Sequence, residues 1–424
     1  MLKTLTVFFL FTIVLHSQVE QSAGVNPYAI DPRFYLDFAS YPAETMDKSR
    51  LDVFLKVPYS SIQFVRYGAK YKGAYSVTLT FYDEDKENIQ FEKIWNEQII
   101  VDDFLKTNSN SNFNISYRSN EMYPGTYFMR TIVEDRDSKR SFTTEGTLTL
   151  KEYKGSIQVS DVVFIQSRVN SPTAEQVIPN VSNIFTTRDE GFAFFYEILS
   201  DTSTTIAAKY KIFDAEEEAV LSRDEKIELT KGENVINQEI TFERLSLGQY
   251  QLNVELYDEN DELITGSSKK FLSKIYGFPN SILDLDEAIK QMMYIASSDE
   301  LDSLQAPESF DEKLNRYVSY WGAKDPSPNT EENEVMFEYY RRVAYSNTAF
   351  ESYYPGWKTD MGMIYITLGA PDQVDRHPFD YNSKPYEVWD YYDLNKRFIF
   401  VDETGFGDYR LLNPVYGDWY RYRY

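Results

Sequence analysis

Apolar and polar residues alternate with a period of two through the first two thirds of the chain, and with a period near 3.6 in much of the last third. In residues 26–153, Leu51–Val57, Tyr75–Phe81 and Gly125–Val133 read as strands, and Asp83–Asn88 as a polar turn. Residues 154–273 repeat the plan, with Phe192–Ile198, Thr205–Phe213 and Gln249–Tyr257 in the strand roles. The repeat is also visible by direct alignment: Met122-Tyr-Pro-Gly-Thr-Tyr127 matches Leu245-Ser-Leu-Gly-Gln-Tyr250 at an offset of 123 residues, and the same offset relates Asp135 to Asp258. Phe81-Tyr-Asp83 and Ile212-Phe-Asp214 correspond at a slightly different offset, because the loops between them differ in length. A hydrophobe-x-x-Gly-x-Tyr entering a late strand is the signature of a tyrosine corner. Two tandem immunoglobulin- or fibronectin-like β-sandwiches are expected, a type of module that more often spaces, presents or binds than catalyses.

Near Phe278-Pro279 the period changes. Residues 281–296 are expected to be helical, with Asp284 or Asp286 early and Ile282, Leu285, Ile289, Met292 and Met293 on one side. Phe310, Leu314, Tyr317, Val318 and Trp321 share one helical face that ends near Gly322. After Asp325-Pro-Ser-Pro328, which cannot continue a helix, Asn329 to Glu332 offers a cap for a long helix reaching about Phe350. That helix carries Phe337, Tyr339, Tyr340 and Tyr345 on more than one side, and should be buried between other elements. From Pro355 to Asp372 two turns flank a short run in which Ile364, Ile366 and Leu368 alternate with Tyr365 and Thr367, the pattern of a half-buried strand. Gly356, Gly362 and Gly369 are placed where the backbone needs positive φ or close approach. Tyr386–Tyr392 and Arg397–Val401 then form a hairpin expected to join strand 364–368, and Tyr409–Leu412 adds a final strand. The last unit, about 278–415, is thus expected to be α+β, a small antiparallel meander with helices on one face, followed by an aromatic and basic tail at 416–424.

The same segment carries a resemblance. Gly356-Trp357-Lys358-Thr359-Asp360 resembles the motif that names the GWxTD domain family of bacterial proteins. Trp321, Asp325-Pro326-Ser327-Pro328, Glu338-Tyr339-Tyr340-Arg341-Arg342, Leu368-Gly369-Ala370-Pro371-Asp372, Tyr386-Glu387-Val388-Trp389 and Gly405-Phe406-Gly407-Asp408 follow in the family's order, over roughly residues 280–415. Ala370 departs from the pattern, which has a second Pro there. The resemblance implies an exported bacterial protein and brings no agreed catalytic residues.

Composition narrows the partners. The chain has 424 residues, 42% of them hydrophobic and 16% aromatic, enough for about three cores. The formal net charge of −24 opposes nucleic acid and anionic lipid as partners. Residues 1–17 resemble a secretory signal, with Lys3 ahead of the apolar run Leu5–Leu15, which is too short for a comfortable membrane span. The absence of cysteine excludes disulfides, thiolate metal sites and lipid attachment through a cysteine. A periplasmic or extracellular envelope location is therefore expected. Nothing in the pattern specifies an oligomeric state.

No catalytic constellation emerges. His377 is the one histidine beyond the signal, in a loop, without the Gly-x-Ser-x-Gly elbow of a serine hydrolase, and ordinary zinc chemistry lacks ligands. The acidic turns Asp83-Glu84-Asp85 and Asp258-Glu-Asn260-Asp261 read as hairpins in preference to Ca²⁺ loops. No metal or cofactor is expected. Asp360, Asp372, Glu387, Asp390, Asp402 and Asp408 fall on or beside the small sheet; Asp360 is expected to cap the turn after it, and Arg341 and Arg342 to pair with these acids. Trp357, Tyr365, Trp389 and Tyr391 would make a platform for a sugar or peptide if exposed together. The binding candidates are therefore Trp357, Thr359, Asp360, Tyr365, Asp372, Arg341, Arg342, Trp389, Asp402 and Asp408. A noncatalytic protein that offers this last domain to an envelope protein or glycan is preferred to a carboxylate-dependent hydrolase of an envelope polymer.

Overall fold

The structure is a computed structural model that describes residues 33–412 apart from 44, 46, 109–111, 171–174, 187, 243–244, 329–331 and 379–383. The signal-like segment, the aromatic tail and the expected cap at 329–331 lie outside the described residues.

The first sandwich contains β1 (Tyr35–Pro42), β2 (Ser49–Pro58), β3 (Phe64–Tyr67), β4 (Lys70–Tyr82), β5 (Ile89–Val101), β6 (Phe113–Met122), β7 (Gly125–Asp135) and β8 (Ser141–Leu150). One sheet runs β1-β2-β6, and the other runs β3-β4-β7-β8 with β5 on the free side of β4. Alternation puts Tyr75, Val77, Leu79 and Phe81 of β4 fully inside, facing Leu51, Val53, Leu55 and Val57 of β2.

The second sandwich contains β9 (Ile157–Val159), β10 (Val163–Asn170), β11 (Glu175–Pro179), β12 (Ile184–Thr186), β13 (Gly191–Ser200), β14 (Thr204–Phe213), β15 (Ala219–Leu229), β16 (Gly232–Thr241), β17 (Gly248–Tyr257) and β18 (Leu263–Lys274). Its pairing repeats the first: β13 lies between β10 and β16 as β2 lies between β1 and β6, and β14 between β15 and β17 as β4 between β5 and β7. Both tyrosine corners form. Tyr127 Oη donates to Tyr123 O (2.7 Å) and Tyr250 Oη to Ser246 O (3.0 Å). The acidic turns are closed by their own backbone: Asp83 Oδ1 accepts the N–H of Glu87 and Asn88, and Asp258 Oδ1 those of Asn260 and Glu262.

The sandwiches meet along the outer face of β1-β2-β6. Ala39, Tyr41 and Phe54 pack against Val163 and Val181 of the second sandwich. Arg50 chelates Glu197 at 3.0 and 3.1 Å, and Lys269 reaches across to Asp37 at 2.5 Å.

The last unit is α+β. Its helices are α1 (Leu285–Gln291), α2 (Ser298–Gln305), α3 (Phe310–Gly322), α4 (Glu334–Ala349) and α5 (Asp360–Leu368); its sheet is the antiparallel meander β19 (Gln373–His377), β20 (Tyr386–Tyr391), β21 (Lys396–Asp402) and β22 (Tyr409–Leu411). Caps set the helix starts. Asp284 Oδ1 accepts Glu287 N, Ser297 and Glu300 form a capping box, and Asn333 Oδ1 accepts Met336 N at 3.0 Å. So α4 starts after Asn333, later than the expected cap, and the expected helix 281–296 shortens to α1 followed by a 3₁₀ turn at Met292–Tyr294. The expected inner face of α3 holds except for Val318, which is exposed. Among the described residues no helix is long and apolar enough to cross a membrane.

One expected strand is a helix. Residues 364–368 belong to α5, and β19 takes the place beside the hairpin. The cause is burial on two sides. Ile366 packs in a core with Trp321, Tyr339, Tyr340 and Trp357, whereas Met361 and Ile364 pack in a second core with Trp389 and Phe400. A helix sandwiched in this way needs apolar residues all round, and over a short run that composition imitates alternation.

Candidate functional site

The corner before α5 is held by steric fit. A Cβ on Gly356 would lie 1.8 Å from Ser346 O, and one on Gly362 1.9 Å from Gly356 O, while Gly369 adopts φ +87° to end the helix. Thr359 caps α5: its Oγ1 accepts Gly362 N (3.0 Å) and donates to Gly356 O (2.8 Å). The expected cap, Asp360, does something else, accepting Leu411 N at 2.8 Å and tying α5 to β22. Trp357 is buried; its ring nitrogen donates to Glu287 Oε1 (3.2 Å) and its carbonyl accepts Tyr294 Oη (2.9 Å). It is a core side chain and no platform.

The other acids are also engaged. Asp372 Oδ2 accepts Tyr392 N at 2.7 Å. Asp390 faces Arg397 across the hairpin at 2.6 and 2.9 Å, and those bonds hold its carboxyl below the usual range. Asp402 accepts N–H groups of Thr404, Gly405 and Gly407; burial would raise its pKa, but these bonds outweigh it and hold the carboxyl low. Arg341 and Arg342 do not reach these acids. Both bind Glu338 one helical turn back, and Arg342 also donates to Ile366 O at 3.1 Å. Their helical position turns them to Glu338 and to the end of α5, away from the sheet. His377 stacks on Tyr386, ring centroids 4.3 Å apart. Among the described residues no three His, Cys, Asp or Glu side chains gather as a metal site.

Four of the candidates do share a cavity. Thr359, Tyr365, Trp389 and Asp408 line a cleft of about 220 Å³ between the end of α4, the Gly356 corner and the first strands of the meander. Tyr365 stacks on Tyr345 at 4.4 Å, and Phe350 meets that pair edge-on and covers Trp389 at 5.4 Å. Burial raises the Tyr365 phenol above its ordinary pKa, so it stays protonated. Glu387 is the polar hub. It accepts Trp389 Nε1 (3.2 Å) through one oxygen and Arg376 Nε (3.0 Å) through the other. Asp408 is bound to Arg410 at 3.0 Å, Glu351 is exposed, and Ser352 Oγ is buried without a hydrogen-bond partner among the described residues. Trp357, Asp360, Asp372, Asp402, Arg341 and Arg342 do not line the cleft.

Tyr345, Phe350, Glu351, Ser352, Arg376 and Tyr409 also line the cleft, although none of them was a binding candidate from the sequence. The signal for one of them was available: Arg376 stands opposite Glu387 in the antiparallel register that β19 creates.

The chain matches a family model, the GWxTD domain, over residues 256–410. The C-terminal unit is a GWxTD domain. The match begins at the last two residues of β17, so β18, the final strand of the second sandwich, is included. No curated protein matches. Among solved structures, Bacteroides uniformis beta-glucuronidase 2 is similar at 9% identity and TM-score 0.20, covering 53% of this chain and 26% of that one. Red sea bream transglutaminase is similar at 7% and 0.18 (56% and 31%), and trypsin-activated alpha-2-macroglobulin from Escherichia coli at 14% and 0.19 (57% and 16%). The chain thus spans less than a third of the length of each of these proteins.

Proposed function

We propose that the protein is an exported, noncatalytic binding protein of the bacterial envelope or exterior, in which the two sandwiches present the GWxTD domain and its cleft takes one sugar unit of a glycan. The observation that carries this reading is the makeup of the cleft. Tyr345, half-exposed and stacked on Tyr365, gives a surface for the C–H face of a ring, with Trp389 buried behind Phe350 as its support. Beside them, Arg376 offers donors, Glu351, Glu387 and Asp408 offer acceptors, and Ser352 offers both. Glu387 and Asp408 are already neutralised by arginines, so the cleft asks for a polyol with mixed donors and acceptors more than for an ion. A volume near 220 Å³ suits one sugar ring better than a run of peptide. The hydrolase reading loses support because Asp360 and Asp390, the carboxylates it would draw on beside the small sheet, are committed to Leu411 N and Arg397. The apolar segment at residues 5–15 supports export.

The test is a screen of the intact protein on an oligosaccharide array, followed by titration. Tyr345→Ala, at a half-exposed ring, and Glu387→Gln should each weaken the best glycan about tenfold, some 1.4 kcal/mol, while circular dichroism stays unchanged. An array with no saturable ligand, or affinities indifferent to both changes, would reject the reading.

A further inference from the structure

Where the two sandwiches face each other, the charges are matched in turn. Asp37 meets Lys269, Arg50 meets Glu197, Lys151 meets Asp161 at 2.8 Å, and Asp52 accepts Ser119 Oγ at 2.6 Å. Lys56, on the same face of β2, is the exception. Among the described residues it has no carboxylate partner; its ammonium is held over the ring of Phe113 at 4.1 Å and near that of Tyr35 at 5.6 Å. Ring faces favour a cation by about 0.5–2 kcal/mol, which keeps the charge in place without neutralising it. Burial, and then the positive charge of Lys274, pull its pKa down to about 8, so it is still mostly protonated at pH 7.

Lys56 borders a cavity of about 650 Å³ whose other walls come from the second sandwich, including Ser167 and Arg168 of β10, Asn180, Ser182 and Thr241. Three carboxylates also line it. Asp189 is bound to the backbone and hydroxyl of Thr186, and Glu190 and Glu239 are exposed. Those two oppose a multiply charged anion and favour a ligand with a single negative charge. The lining is partly apolar, with Ile165, Ile184 and Phe192.

We propose that the seam between the sandwiches is a binding site for small monocarboxylates, with Lys56 as the anchoring cation. The ligand's carboxylate supplies a counter-charge for Lys56, and its apolar body lies along the wall of β10 and β13. The site is separate from the GWxTD cleft and does not depend on the function proposed for it.

Butyrate, succinate and inorganic phosphate serve as probes in ligand-observed NMR titrations of the full chain. Butyrate should bind saturably at pH 7, more tightly than succinate or phosphate, and at least tenfold more weakly to Lys56→Met. Lys209→Met, at a lysine paired with Asp261 on the opposite sheet, should leave it unchanged. Binding should fade between pH 7 and 9.5 as Lys56 loses its proton, and Lys56→Arg should abolish that fading because guanidinium keeps its charge. Should Lys56→Met fail to fold, the Lys56→Arg pH profile decides alone. Absence of saturable butyrate binding, equal affinity in Lys56→Met, tighter phosphate binding, or the same fading in Lys56→Arg would each overturn the proposal.

Discussion

At the scale of single residues, the motif that names the domain is explained by contact distances. Gly356 and Gly362 are required because the backbone of α4 and the corner itself occupy the space of a side chain, and Thr359 because its hydroxyl is both cap and strut. The need for close approach at these glycines could be read from the sequence; which neighbour approaches could not. Trp357 shows the limit from the other side. In a turn it could as well have been exposed, and only the packing of α1 and the Met292–Tyr294 turn around it decides that it is core. Gly356→Ala and Gly362→Ala should each cost about 3 kcal/mol, the upper range of overpacking, since backbone must move and no flexible side chain can yield. Thr359→Ala should cost about 1–2 kcal/mol for the lost cap. Gly369→Ala should cost about 1 kcal/mol, because its added carbon would meet only the end of the Arg342 side chain at 3.3 Å, not backbone, and the strain is mainly that of positive φ. Urea unfolding followed by tryptophan fluorescence gives the order. If Gly369→Ala proved worse than Gly356→Ala, the steric account of the corner would be wrong.

At the scale of elements, the legible parts are those with one buried face. Every long strand proposed from alternation is present, and the internal repeat predicted two matching tyrosine corners because both the spacing and the residue that closes the loop are local. Helix α5 was illegible for the opposite reason: with both sides buried, its nine residues carry no polar stripe to reveal the period. The corners offer a graded test. Tyr250 is buried and Tyr127 more open, so replacing the phenol by Phe should cost about 1–1.5 kcal/mol at Tyr250 and about 0.5 kcal/mol at Tyr127. Because the two rings sit in separate cores, the double variant should show the sum. Equal costs at both sites, or a double variant well short of the sum, would mean that the corners are not independent closures of their own sandwiches.

At the scale of the whole molecule, the seam joins residues far apart in sequence, and no local pattern announces it. Asp37 and Lys269 are 232 positions apart, yet their side chains are 3% and 1% exposed and 2.5 Å from each other, with Phe38 O as a second acceptor at 3.2 Å. From the sequence Lys269 is simply a lysine within a strand, and Asp37 an acid in a run of mixed polarity. The desolvation of two such charges nearly cancels their attraction, so the pair contributes little net stability while making either partner costly to lose alone. Lys269→Met should therefore destabilise by about 3–5 kcal/mol, since the buried Asp37 carboxylate loses the Lys269 ammonium, and Asp37→Leu should cost a similar amount by taking the carboxylate from Lys269. The double replacement should regain most of that loss, because two apolar side chains can fill the same space. A double-mutant cycle by chemical denaturation measures the coupling directly. Large single costs with recovery in the double would mean the sandwiches unfold as one body across this seam. A cost below about 1 kcal/mol for Lys269→Met would mean instead that water reaches Asp37 readily, that the seam opens in solution, and that the sandwiches behave as two separate beads.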